Sequence, residues 1–178
     1  NMLFIVQDPY TSYYDAKVVR DFVALTQKLG FEPIILPFKP NGKAMHIKGF
    51  LARFSKTAKT QAEFLNRVAK LNVPLVGVDP AIVLSYRDEY KEALGDSRGD
   101  FHVLTAHEWL TNQLESNALQ SAVKNIAKSD RTFEWHLFPH CTESTFMPNG
   151  PKEWQNIFTQ FGQILNVEKV GCCGMAGV

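Results

Sequence analysis

Short apolar runs recur along the chain, separated by stretches that are too long for hairpin turns. The runs are rich in valine, isoleucine, leucine and phenylalanine, a composition typical of buried strands. Polar residues, glycine or proline flank them, as expected at strand ends. The predicted strands are residues 3–6, 34–36, 74–78, 101–104, 132–138 and 167–170.

Amphipathic stretches with helical spacing lie between these strands. Apolar residues spaced three and four apart predict helices over 15–29 and 47–68 in the first half of the chain. The same spacing predicts a helix over 154–164 in the second half. The stretch 118–128 fits either a further helix or an irregular connection. Helices therefore follow most of the predicted strands.

Two helix starts carry specific capping signals. Asp79 followed by Pro80 supplies a side-chain acceptor and a residue that suits the first helical position. Thr105 with Glu108 three residues later matches a capping box, which predicts a helix from there to Leu114. Both signals come directly after predicted strands, so the chain passes from strand to helix with little loop between.

This alternation of strands and helices favours parallel strand pairing. Parallel strands need long crossovers, which helices supply, and the helices then cover both faces of the sheet. We expect an α/β fold with a Rossmann-like, mostly parallel sheet. The second half repeats the order of elements in the first, which suggests two related halves within a single domain of residues 1–178.

Composition excludes several classes of protein. Hydrophobic residues make up 45% of the 178 residues, enough for a sizeable core, and a formal net charge of +1 gives no reason to expect nucleic-acid binding. No apolar run approaches the roughly 20 residues of a membrane span, and no secretory signal is present. Three cysteines do not suit a secreted disulfide scaffold. We expect a cytoplasmic protein with reduced thiols.

The cysteines are the strongest candidates for chemistry. Cys172 and Cys173 are adjacent in a glycine-rich segment, and Cys141 follows a predicted strand. One helix and one strand fit between Cys141 and Cys172, which would return the chain to the same edge of a sheet. Thiolates bind iron–sulfur clusters and zinc. The pattern favours ligation, with buried apolar cysteines or thiol exchange as alternatives.

Histidines and carboxylates are weaker candidates. His140 precedes Cys141 and could be a further ligand or a hydrogen-bond partner of a thiolate. His102, His107 and His136 have no cysteine nearby in the sequence, and no role is assigned to them. Capping accounts for the acidic residues that precede proline at the predicted strand ends, Asp8 and Asp79.

Residues 39–59 hold several lysines and an arginine but no carboxylate. Such a segment could bind an anion, a phosphate or an acidic partner domain. A solvated helix face accounts for it more simply. The glycine and lysine of 41–43 do not form a Walker loop, because the first glycine and the Lys-Ser/Thr ending are missing.

Five segments together resemble a known family. A single cysteine followed much later by Cys-Cys-Gly resembles the cysteine-rich CCG domain of heterodisulfide reductases and related iron–sulfur proteins. The wider set of segments resembles the C-terminal part of large bacterial FAD-linked oxidases of D-2-hydroxy acids. The segments that carry this resemblance are 8–15, 36–43, 86–90, 140–143 and 171–177.

The resemblance implies a cofactor and partners. It implies that Cys141, Cys172 and Cys173 hold an iron–sulfur cluster in an intact protein, with zinc as the alternative, and that FAD binds in a region upstream. The partners would be the FAD-binding and ferredoxin-like regions of the same polypeptide and an electron acceptor. Such a protein would be cytoplasmic or peripheral at the inner face of the membrane, not transmembrane.

The match departs from the family pattern in two places. The first half lacks cysteines, and a later cysteine of the family pattern would fall beyond Val178. We therefore expect a fragment that holds no cofactor and has no dehydrogenase activity by itself. The leading hypothesis is an electron-transfer domain of an FAD-dependent 2-hydroxy-acid dehydrogenase. The alternative is a structural or docking module of the same protein with vestigial or zinc-binding cysteines.

Overall fold

The computed structural model describes residues 1–115, 119–127 and 131–171. The strands are β1 (Met2–Val6), β2 (Glu32–Ile35), β3 (Leu75–Gly77), β4 (Val103–Thr105), β5 (Glu134–Leu137) and β6 (Ile164–Val167). The helices are α1 (Pro9–Tyr13), α2 (Ala16–Lys28), α3 (Lys43–Ile47), α4 (Leu51–Ala69), α5 (Pro80–Arg87), α6 (Glu89–Leu94), α7 (Ala106–Leu114), α8 (Gln120–Ala127), α9 (Cys141–Phe146) and α10 (Gly150–Gln160). A 3₁₀ turn, Gly95–Arg98, follows α6.

Four of these strands form sheet A, in the order β2-β1-β3-β4. All of its pairings are parallel, and Val6 of β1 lies opposite Gly77 of β3. The chain leaves β1 towards β2 on one side and then crosses back to β3 on the other. This reversal makes a topological switch point between β1 and β3, the place where open α/β sheets bind ligands. The predicted α/β, Rossmann-like class is confirmed.

Helices cover both faces of sheet A, as its apolar strands require. Leu3 and Ile5 of β1 point to one face and Phe4 and Val6 to the other, and all four side chains are buried. The first face packs against α2, α7, α8 and α10, and the second against α4, α5 and α6. The core therefore lies in two layers with the sheet between them.

Strands β5 and β6 form sheet B, a separate parallel pair with α10 as its crossover. Trp135 of β5 packs edge-on against Phe158 of α10, with ring centroids 6.1 Å apart. The sequence suggested two related halves, but the described strands divide unequally because β4 pairs with β3 in sheet A. Sheet B packs on the larger unit, since Ile157 of α10 joins the core beside α7 and α9 packs on α5.

The helix predicted over 47–68 is wrong at its start. The chain forms two helices, α3 and α4, with a turn between them at Lys48–Phe50. Gly49 takes a φ of +75°, and the N–H of Phe50 donates to the carbonyl of Met45 at 2.9 Å. This arrangement ends α3 like a Schellman motif. The apolar stripe continues across the break, which is why its periodicity did not reveal the turn.

The last strand was also predicted in the wrong place. Residues 167–170 were expected to form it, whereas β6 runs from Ile164 to Val167. Gly162, with a φ of +70°, turns the chain soon after α10 ends. The side chain of Gln163 then accepts a hydrogen bond from the N–H of Phe133 at 2.9 Å, next to the first pair of sheet B. Contacts with β5 thus set the register of β6.

The remaining predicted strands lie within two residues of the observed ones. The capping signals are confirmed: Asp79 caps α5, and Thr105 and Glu108 form the capping box of α7. In the stretch 118–128, where the sequence left two alternatives, the described residues form α8. Local signals therefore predicted the elements better than their grouping into sheets.

Replacing Gly77 with alanine should destabilise the fold. A Cβ at this position would lie 2.4 Å from Cγ2 of Val83, so β3 and α5 would have to move apart. We expect Gly77→Ala to lower the free energy of unfolding by about 1–3 kcal/mol, as overpacking usually does. Urea denaturation measures it. Gly171→Ala is the control, because none of the described residues would lie within 4 Å of its Cβ. Equal stability of the two variants would contradict the close packing.

Candidate functional site

The candidate site lies at the carboxyl edge of sheet A, at the switch point. Because Val6 and Gly77 are paired, the loops after β1 and β3 leave the sheet side by side. Each loop carries an Asp-Pro pair, and each aspartate caps the helix that follows. Asp8 and Asp79 therefore flank the crevice between the two loops.

Both aspartates are engaged with their own helices. Asp8 is 2% exposed, and its Oδ1 accepts from the N–H of Thr11 at 2.8 Å while its Oδ2 accepts from the hydroxyl of Thr11. Oδ1 of Asp79 accepts from the N–H of Ile82 at 3.1 Å. The expectation that capping accounts for these residues is confirmed.

Asp79 nevertheless sits in an environment that disfavours its charge. Burial raises the pKa of its carboxyl above the ordinary value, and the nearby charge of Asp8 raises it further. The N–H groups of Ile82 and Ala81 and the side chain of His140 oppose this rise in pKa without cancelling it. The second half of the chain reaches this region, because α9 packs against α5, the helix that Asp79 caps.

Cys141 lies at the first position of α9, directly after the loop that follows β5. Its thiol is free and half-buried. Its carbonyl accepts from the hydroxyl of Thr145 at 2.9 Å, within the same helix. Cys141 therefore lies on a helix that packs against α5, the helix that Asp79 caps.

His140 caps α9. Its Nδ1 accepts from the N–H of Thr142 at 3.2 Å. With Nδ1 as an acceptor, a neutral imidazole carries its proton on Nε2, which leaves no free lone pair there for a metal. A ligand role for His140 would need the other tautomer and would remove the cap. This hydrogen bond favours the supporting role over the ligand role.

Cys172 and Cys173 lie outside the described residues, but the chain can be followed to Gly171. The pairing of sheet B ends with Leu137 opposite Val167, and the N–H of Glu168 donates to the carbonyl of Leu137 at 2.9 Å. The segments that lead to Cys141 and to Cys172 thus leave sheet B from the same edge. This agrees with the return of the chain that the sequence suggested.

The donor chemistry suits a thiolate-bound group in part. Cys141 is free, and strand pairing directs the segment before Cys172 to the edge from which Cys141 emerges. Within 1–115, 119–127 and 131–171, no three His, Cys, Asp or Glu side chains form a potential metal-binding group. The vicinal cysteines would have to supply the remaining thiolates.

Sequence reasoning assigned no role to His107, which proves to be the centre of a buried polar cluster. Its Nδ1 lies 3.2 Å from Oε1 of Glu143, and its Nε2 lies 3.4 Å from Oε2 of Glu153. Burial lowers the pKa of His107 and raises the pKa values of both glutamates. The imidazole is therefore neutral at pH 7. One signal was available: His107 shares a helical stripe with Leu110 and Leu114, which predicts an inward side chain.

A second polar contact also escaped prediction. Arg87 of α5 forms a bidentate ion pair with Glu108 of α7, with Nη1–Oε1 at 2.9 Å and Nη2–Oε2 at 2.5 Å. Nη2 also donates to the carbonyl of Val103 at 2.8 Å. Glu108 therefore caps α7 and ties it to α5, and the guanidinium holds the pKa of this carboxyl below its ordinary value despite burial.

The basic segment 39–59 has two lysines that contact other parts of the chain, and its remaining cations face solvent. Lys43 forms an ion pair with Glu89, and Nζ of Lys39 lies 5.1 Å from the ring centre of Phe64. The other cations of this segment are exposed. These contacts favour a solvated surface over a dedicated anion site. Among the described residues, no helix has both the length and the apolar character to cross a membrane.

Replacing Asp79 with asparagine should change how stability depends on pH. The pKa of Asp79 is higher in the folded state than in the unfolded state, so the folded state binds the carboxyl proton more tightly. The stability of the fold therefore decreases as pH rises from the unfolded-state pKa to the folded-state pKa. Asparagine keeps the capping oxygen but cannot ionise. We expect Asp79→Asn to be more stable than the native chain at pH 7, and equally stable below the ordinary pKa of 3.8.

Thermal unfolding measured across this pH range checks the effect of Asp79→Asn. Asp79→Ala is the matched control, because it removes the charge and the cap together and should cost about 1 kcal/mol relative to Asp79→Asn at every pH. An asparagine variant that is less stable than the native chain at pH 7 would contradict the raised pKa.

Comparison with known proteins matches nearly the whole of this chain to parts of longer proteins that share one enzyme name. The chain is 81% identical over all 178 residues to a D-2-hydroxyglutarate dehydrogenase of Haemophilus influenzae. It is 58% and 36% identical over 175 residues to proteins of that name from Escherichia coli and Pseudomonas putida. The chain spans only 16–17% of the length of these relatives. No protein-family model and no solved structure matches it.

Proposed function

We propose that this chain is the iron–sulfur electron-transfer module of an FAD-dependent dehydrogenase that oxidises a D-2-hydroxy acid, with D-2-hydroxyglutarate as the substrate. The observation that carries the proposal is the 81% identity over all 178 residues to a D-2-hydroxyglutarate dehydrogenase. That relative is about six times as long as this chain, since the match covers 17% of it. Substrate and flavin would bind in other regions of such a polypeptide, and we expect this stretch alone to be inactive.

The proposed role of Cys141, Cys172 and Cys173 is to supply thiolate ligands. An iron–sulfur centre accepts and releases single electrons at a potential set by its ligands and surroundings. The free, half-buried thiol of Cys141 and the shared exit edge of β5 and β6 support this assignment. His140 would hold the start of α9 through Thr142, with direct ligation as its second option.

The proposed reaction defines what this module must do. Oxidation of a 2-hydroxy acid to a 2-oxo acid releases two electrons and two protons. The FAD-binding and ferredoxin-like regions of the same polypeptide would deliver the electrons, and this chain would pass them one at a time to an acceptor. Its residues therefore need to hold the ligands rigidly and keep them accessible from one side. Reduced thiols suit a cytoplasmic protein, whether free or peripheral to the membrane.

A second candidate function is a docking module whose cysteines are vestigial or bind zinc. Phe50, in the turn before α4, and Leu51, the first residue of α4, favour it, because they are 54% and 57% exposed. Lys48 and Arg53 lie close to them in sequence and are also exposed. An apolar patch with basic neighbours is typical of a surface that contacts another domain.

Replacing Cys172 and Cys173 together with serine separates these functions. In the complete polypeptide, the double variant should keep its FAD and its rate of flavin reduction by substrate, because serine is close to cysteine in size. Electron delivery to the acceptor should fall at least tenfold, because serine is a poor ligand for iron. Stopped-flow flavin reduction and steady-state acceptor turnover, measured separately, provide the test.

The outcomes distinguish the two candidates. Anaerobic purification followed by iron, sulfide and zinc analysis and EPR shows which metal the native protein holds, and Cys141→Ser should lower the iron content as the double variant does. Unchanged acceptor turnover in the double variant would favour the docking module. Parallel loss of flavin reduction and turnover in a folded protein would place the cysteines in the flavin site instead.

A further inference from the structure

A buried polar junction joins α7 to α9 and α10. We call the side chains of His107, Glu143, Glu153 and Trp154 the α7–α9 junction. His107 is 1% exposed and Glu143 6%. Nδ1 of His107 lies 3.2 Å from Oε1 of Glu143, and Nε1 of Trp154 donates to that same oxygen at 3.4 Å. One carboxylate oxygen thus connects three helices.

The junction is tightly packed as well as polar. The rings of His107 and Trp154 lie with their centroids 5.5 Å apart. A Cβ at Gly150 would lie 3.4 Å from Nε2 of His107 and 3.5 Å from Oε1 of Glu143, so the start of α10 approaches both groups closely. The hydroxyl of Thr105 also contacts the imidazole, at 3.1 Å from Nδ1 of His107. The imidazole therefore has little room to rotate.

Helix α7 does not need this junction for its own formation. The capping box of Thr105 and Glu108 already starts α7, and Arg87 already ties Glu108 to α5. Burying a histidine and a glutamate carries a desolvation penalty that apolar side chains would avoid. Polar contacts differ from apolar ones in that they define direction, and so can select one arrangement of the helices.

α9 depends on outside contacts for its position. It has only six residues, too few for a helix to be stable by itself. Cys141 begins this helix and Glu143 lies in the same turn, so a change in the rotation of α9 moves both residues together. The contact between Glu143 and His107 therefore bears directly on where the thiol of Cys141 points.

We propose that His107 is a positioning residue for Cys141. Through Glu143 it fixes the rotation and height of α9 against α7, and so the direction of the Cys141 thiol. The functional meaning of this restraint rests on the proposed role of Cys141 as a ligand. The restraint itself belongs to the 178-residue chain and can be measured on it without any metal.

The test measures how fast N-ethylmaleimide labels Cys141 in the reduced 178-residue chain, with peptide mass spectrometry to separate Cys141 from Cys172 and Cys173. We expect His107→Ala to speed labelling of Cys141 about tenfold, because loss of the buried contact with Glu143 and of the ring packing against Trp154 eases local opening. His107→Asn places an amide nitrogen near the position of Nδ1 and should restore most of the protection. Labelling of Cys141 at the native rate in His107→Ala would overturn the proposal.

Two further variants separate positioning from general stability. Leu65→Ala opens the core on the opposite face of sheet A, and should lower the melting temperature without changing the labelling of Cys141. The double variant His107→Leu/Glu143→Leu roughly keeps the volume but removes the polar contact between the two side chains, and should stay folded yet label faster. If His107→Ala does not fold, the labelling rate of Cys141 in the double variant tests the proposal. Native labelling in the double variant, or equal acceleration in Leu65→Ala, would overturn the proposal.

The labelling result is independent of the proposed cluster. Faster labelling in these variants, together with a complete protein that holds no iron, would support the positioning role and refute the electron-transfer function. Labelling of Cys141 at the native rate in the variants, together with iron in the complete protein, would refute the positioning role and support the electron-transfer function. In an iron-loaded protein, His107→Asn should change the EPR signal less than His107→Ala does.

Discussion

Strand β1 carries apolar side chains at its last four positions, and both of its faces are buried. Such a strand can only be central, so β2 and β3 must pair on either side and helices must cover both faces. The pairing of Val6 with Gly77 then brings the Asp8 and Asp79 loops together at the carboxyl edge. The position of the crevice follows from the burial of this one strand.

Elements with local signals and the parallel α/β class could be predicted from the sequence, whereas the division of the strands between two sheets could not. The capping box of Thr105 and Glu108 lies within one turn of helix, so its residues alone predict it. The break at Gly49 interrupts an apolar stripe without changing its period, so periodicity passes over it. The place of β4 in sheet A and the register of β6 depend on distant partners, and no property of those strands alone reveals them.

The candidate site divides in the same way. Cys141 stood out because cysteines are few and because a strand precedes it, and the caps at Asp8 and Asp79 follow from their neighbours in sequence. His107 did not stand out, because its partners Glu143 and Glu153 lie far along the chain. Only its place on the buried stripe of α7 hinted at an inward side chain. The role of a buried histidine depends on tertiary contacts, which the local sequence does not reveal.

The two sheets are unequal in what they can support by themselves. Sheet A has a two-layered core, whereas sheet B is a single parallel pair, which alone would be marginal at best. Sheet B is held through Ile157 against α7 and through α9 against α5. The position of Cys141 is therefore inherited from sheet A. Cys141 is held in place less by β5, the strand before it, than by the contacts of α9 and α10 with the larger core. The contact between His107 and Glu143 is one of these contacts.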